Sequence, residues 1–163
     1  LNYHDTIETF FEKSTDQYIS KWQENETPEF PIMHLLKKDK DSENFSIAIV
    51  PLTVPGGLPK GVSPMVLIKP IVKAFTPDAY IVFSEAWAVD ADKMDKKIEN
   101  MRYGDVQYMK NRTERLIIYG KSISGKQTFQ HLYTIKRDTR TRKKWLVFDK
   151  KDSGAKLESE RLP

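Results

Sequence analysis

Residues Ala79 to Val89 read Ala-Tyr-Ile-Val-Phe-Ser-Glu-Ala-Trp-Ala-Val. Branched and aromatic side chains of this density fit a pleated strand. Alternation sets Ile81, Phe83, Glu85, Trp87 and Val89 on one face, with Tyr80, Val82, Ser84, Ala86 and Ala88 on the other. Both faces are apolar, so the strand belongs inside a sheet and covered on each side. Such a strand needs paired neighbours and two covering layers, and the rest of the chain has to supply them.

Tyr3, Ile7, Phe10, Phe11, Ser14, Tyr18 and Trp22 recur at helical spacing, which predicts a helix over about 4–23. Pro28 and Pro31 follow its end. Two strands come next, Pro31 to Lys37 and Phe45 to Leu52, joined by a polar turn as a hairpin. The prolines and glycines of Val54 to Gly61 make a loop. Ser63-Pro64 then reads as a helix start, with Met65, Ile68, Val72 and Phe75 facing inward up to residue 75. Pro70 is the difficulty, because a proline in a helix interior costs about 3 kcal/mol. Residues 90–112 form a charged excursion containing a helical turn or two. Glu114 to Ser122, Lys126 to Arg137 and Lys143 to Asp149 complete an antiparallel meander.

The order helix, two strands, helix, four strands predicts an α+β fold: a mostly antiparallel sheet of about six strands with two helices. Residues 1–150 form one domain and 151–163 a loose tail. At 163 residues one core suffices, since a domain of this size buries roughly 70% of its unfolded surface.

The start Pro31-Ile32-Met33-His34-Leu35-Leu36, the Pro51-Leu52 strand end before a helix, and Val82-Phe83-Ser84-Glu85-Ala86-Trp87 together resemble a small family of uncharacterised bacterial and phage α+β proteins. The resemblance covers roughly residues 30–150, and its distinctive string is Ser84-Glu85-Ala86-Trp87. The family has no established activity, so the resemblance implies a fold and transfers no site residue.

Glu85 shares its strand face with four large apolar side chains. A buried carboxylate must be paired, hydrogen-bonded or protonated. Its candidate partners are His131, which lies with Phe129, Tyr133 and Ile135 on the richer face of its strand, and His34 near the start of the first hairpin. A carboxylate beside a histidine is an acid–base pair or part of a metal site. A structural hydrogen bond, or a strand end open to water, accounts for the same residues more simply. No local ligand spacing supports a metal, and no cofactor is expected.

Charge is distributed unevenly. Residues 1–35 carry seven acidic and two basic side chains, whereas residues 106–151 carry three acidic and thirteen basic. Arg137, Arg140, Arg142, Lys143 and Lys144 crowd the last hairpin with Lys136, and phosphate backbones attract such clusters. Tyr133 and Trp145 stand beside them at positions that the alternation also suits to the core. Gly120 to Thr128 nearly spells a phosphate-binding loop, but Gln127 stands where serine or threonine would hold magnesium, and a strand pattern follows where a helix is needed.

There are no cysteines, which fits a reducing, cytoplasmic setting and removes thiolate chemistry. No apolar run approaches the roughly 20 residues that span a bilayer. The leading expectation is a non-enzymatic protein acting by association with itself or a partner, as a homodimer. The alternative is a nucleic-acid-binding accessory protein using residues 136–144. A small enzyme centred on Glu85 and His131 comes third.

Overall fold

A computed structural model describes residues 3–39, 44–89 and 103–149. Residues 90–102 of the expected excursion, and the expected tail, lie outside the described residues. The chain runs α1 (Tyr3–Gln23), β1 (Ile32–Lys38), β2 (Phe45–Pro51), α2 (Ile68–Phe75), β3 (Ala79–Ala88), β4 (Thr113–Ser122), β5 (Thr128–Arg137) and β6 (Lys144–Phe148). All six strands join one sheet in the order β2-β1-β3-β4-β5-β6, and every pairing is antiparallel. The fold is α+β in the expected order. Among the described residues no helix is long and apolar enough to cross a membrane.

α1 lies across one face of the sheet. Its stripe of Ile7, Phe10, Phe11, Tyr18 and Trp22 packs on Leu36, Ala79, Ile81, Phe83, Leu116, Ile118 and Ile135. Tyr18 stacks on Phe83 with ring centroids 4.4 Å apart. Phe11 comes so close to β4 that a Cβ on Gly120 would stand 2.9 Å from its ring, so only glycine admits this approach.

α2 covers the opposite face over β1, β2 and β3. Ile68 and Met65 join Met33, Leu35, Leu52, Tyr80 and Val82 there. The expected single helix is divided. Pro64–Leu67 forms a 3₁₀ turn capped by Ser63, whose hydroxyl accepts the Met65 N–H at 3.2 Å, and α2 starts afresh at Ile68. Pro70 therefore falls in the first turn of α2, where an N–H has no intrahelical partner to lose. The expected inward Phe75 is instead 44% exposed at the end of that short helix.

β1 pairs with β3 only from Ala79 to Phe83, with Ile32 opposite Phe83. Beyond Phe83, β3 keeps β4 on one side and projects past the end of β1 on the other. The strand is therefore central and doubly covered in its first half alone. Val106 and Met109, around a 3₁₀ turn at Asp105–Tyr108, close with Val89 near its far end.

Candidate functional site

Glu85 lies on the overhanging half of β3, so it is exposed where the sequence places it among buried neighbours. Its Oε1 accepts the indole N–H of Trp22 at 2.5 Å. Trp22 ends the buried stripe of α1 and is itself fully buried. The carboxylate thus satisfies a donor that the apolar core could not. Lys144 of β6 sets its ammonium 3.9 Å from the centroid of the same indole, a cation–π contact. Burial pushes the Lys144 ammonium down, and the negative charge of Glu85 opposes that shift. Tyr18 nearby is pushed up to about 12 by burial and by Glu85, so it remains a neutral phenol.

The three acid–base candidates are not brought together. Glu85 faces Leu116, and Leu116 faces Tyr133, whereas His131 is in register with Ile118. His131 instead contacts the Tyr133 hydroxyl at 3.3 Å through Nδ1 and packs against Phe129 and Phe148. His34 is on the other side of β3, opposite Ile81, buried and edge-on to Phe83 at 5.0 Å. Trp22, which the sequence assigned to packing alone, is the partner Glu85 has. Among the described residues no three His, Cys, Asp or Glu side chains gather as a metal site.

This arrangement predicts a moderate stability effect. Glu85→Ala should lower the unfolding free energy by about 1–2 kcal/mol, because a buried indole N–H is left without its acceptor. Glu85→Gln should cost less, since the amide oxygen still accepts. Urea unfolding of the three proteins checks this, and equal stability would mean that water replaces the carboxylate freely.

The cations of the last hairpin divide into two groups. Arg137 makes a paired contact with Glu114 at 2.8 and 3.0 Å, and Lys144 rests on Trp22. Both belong to the sheet's own structure. Lys136, Arg140, Arg142 and Lys143 are exposed, and no ion pair engages them among the described residues. Asp138 organises their turn. Its carboxylate accepts the Arg140 N–H at 2.9 Å, its carbonyl accepts the Arg142 N–H, and its own N–H donates to Lys143. That Arg140 contact holds the Asp138 carboxyl below the ordinary carboxylate range. Trp145, cross-strand from Lys136, is 48% exposed rather than in the core. The face it occupies on β6 lies three strands beyond β3, the last of those that α2 covers.

The segment resembling a phosphate loop is the β4–β5 hairpin turn. Ser122 Oγ accepts the Gln127 N–H at 3.0 Å, and the chain proceeds directly into β5.

The outer edge of β2, with which no strand pairs among the described residues, is a further surface. Its Ile47 and Ile49 are 57% and 54% exposed at the outer border of the α1 face. The signal was present in the sequence, because Phe45 to Pro51 contains no charged residue. What the sequence did not show is that this strand is an edge.

No protein-family model, no curated protein and no solved structure matches the chain.

Proposed function

We propose that this protein works by association rather than by chemistry, and that a second copy pairs with it along β2. The observation that carries this reading is the outer edge of β2, with which no strand pairs among the described residues. An edge strand presents unpaired N–H and C=O groups, and folded proteins usually blunt it with lysine, proline, a bulge or a covering loop. β2 has seven residues, no charge, and a proline only at its last position. Two large apolar side chains stand beside that backbone, half in water. β6, at the opposite edge, is shorter, begins at Lys144 and follows Arg142 and Lys143. Antiparallel pairing of β2 with β2 of a second copy is isologous, so one patch serves both partners and closes at a dimer. It joins two six-stranded sheets into one and brings the isoleucines of both copies together.

Light scattering should therefore give twice the mass of one chain at micromolar concentration. Ile47→Lys with Ile49→Lys should weaken the dimer at least about tenfold, since lysine on an edge opposes pairing. The fold should survive, because both positions face outward. A wild-type monomer over the whole concentration range would remove this reading.

The exposed Trp145 supports a second role, in binding single-stranded nucleic acid. Four exposed cations on a fixed turn, next to an aromatic ring open to solvent, combine backbone attraction with a surface for base stacking. With about four phosphate contacts, log affinity should fall against log salt with a slope near −2.8. Arg140→Ala with Arg142→Ala should reduce that slope by about 1.4. Trp145→Ala should weaken binding without altering the slope. Fluorescence titration of a labelled oligonucleotide measures all three, and no binding at about 50 mM salt would end this reading.

A further inference from the structure

A ligand-sized space lies away from both surfaces, in the angle between α2 and the β3–β4 pair. It is a cavity of about 280 Å³, near the lower bound of small-molecule sites, about 300 Å³. Ile68 and Val72 of α2 give it one apolar wall, and Ile123, just after β4, gives the other. Tyr80 of β3 forms part of the lining, in direct register with Lys121 of β4. Lys69 and Lys73 stand one helical turn apart along the same rim.

Two features distinguish this cavity from an ordinary crevice beside a helix. The first is charge. All three charged residues lining it are lysines, and none is engaged in an ion pair among the described residues. Asp78, the acidic residue nearest to Tyr80 in the chain, uses its carboxylate on the Lys38 N–H. The second is Tyr80. It is 5% exposed, yet its hydroxyl makes no hydrogen bond to any described residue. Among the described residues no fully buried side-chain oxygen lacks a partner, so this hydroxyl keeps some exposure to solvent, and Tyr80 lines the cavity. Burial holds the phenol up to about 12, so it remains a hydrogen-bond donor throughout the physiological range.

We propose that this cavity binds a small amphipathic anion, an aryl or short alkyl body carrying a phosphate or carboxylate. The body lies against Ile68, Val72 and Ile123. The anionic group sits among Lys69, Lys73 and Lys121 and accepts a hydrogen bond from Tyr80. Lysine suits either headgroup, as it acts as a point charge rather than a planar fork. The cavity is too small for a long acyl chain. It is also separate from the β2 edge and from the basic turn, so this proposal stands apart from the readings above.

Amide chemical-shift titration of the whole chain tests it, with phenyl phosphate, phenylacetate, inorganic phosphate and phenol as probes. At least one of the two amphipathic anions should bind about tenfold more tightly than phenol and than inorganic phosphate. The shifts should centre on Tyr80, Lys121 and Ile123. Preference between the two anions identifies the headgroup. Lys69→Glu with Lys73→Glu, both exposed on α2, should weaken binding at least about tenfold with an unchanged melting temperature. Tyr80→Phe should weaken it severalfold, and Ile123→Glu should abolish it. The proposal is overturned if phenol binds as tightly as the anions, if neither anion binds in the low millimolar range, or if the shifts persist in the Lys69→Glu, Lys73→Glu protein.

Discussion

Trp22→Ala should lower the unfolding free energy by about 3–5 kcal/mol, the usual cost of removing a large aromatic side chain from a packed core. Domains of this kind are stable by only about 5–15 kcal/mol, so the variant sits close to the unfolding threshold. The size of the effect follows from position. Trp22 is fully buried at the end of the α1 stripe and forms one core with Phe83, Leu116 and Ile135. It also joins three elements that are distant in sequence, through its own helix, the Glu85 carboxylate of β3 and the Lys144 ammonium of β6. Trp22→Phe separates the two contributions. It keeps much of the apolar volume and removes the N–H donor, but the exposed Glu85 can turn to water, so about 1–2 kcal/mol should be lost. Urea unfolding of Trp22→Phe, Glu85→Ala and the double variant closes a cycle. If the hydrogen bond is what couples them, the double variant should cost clearly less than the sum of the singles. If Trp22→Phe costs as much as Trp22→Ala, the indole contacts dominate and volume is secondary.

The element order was legible because it depends on local period. The stripe Ile7, Phe10, Phe11, Ser14, Tyr18 and Trp22 is buried as the helical spacing requires. The alternation in β4 and β5 places Leu116 and Ile118, with Tyr133 and Ile135, on the α1 side. Register between distant strands leaves no such mark. Nothing in Ile32 to Lys38 states that β1 begins opposite Phe83, yet that one pairing leaves Glu85 and Trp87 beyond the cover of a strand whose sequence reads as central throughout. For the same reason Trp145 has the period of a core residue while lying on an edge strand. Gly120 shows a different limit. A glycine inside a strand suggests a close approach, but its partner, Phe11, is more than a hundred residues away in the chain. The cavity beside α2 was likewise invisible, because Lys69, Lys73, Tyr80 and Lys121 meet only once helix and sheet are docked.

Acidification should destabilise the protein through His34, by up to about 3 kcal/mol between pH 6.5 and pH 4. His34 is 5% exposed on β1, beneath α1 and edge-on to Phe83. Burial pushes its imidazole down to about 4, and Lys21 in the last turn of α1 adds to the shift. In the unfolded chain the same ring titrates near 6.5. Above that value neither state binds the proton, and the contribution to stability is complete. As pH falls from about 6.5 towards 4, the unfolded chain takes up a proton that the folded protein refuses, so unfolding is favoured progressively. Below about 4 both states are protonated and no further loss arises from this group. Burial lowers the His131 imidazole as well, and it contributes in the same direction. Carboxylate titrations also weaken a protein in acid, so wild type alone does not isolate the effect. His34→Leu keeps a comparable apolar volume and removes the titration. Urea unfolding at several pH values should therefore show the two proteins diverging, with the wild type losing stability more steeply from pH 6.5 to pH 4. Parallel curves would mean that the imidazole is hydrated in the folded state, and that the packing of α1 over β1 is looser than its burial implies.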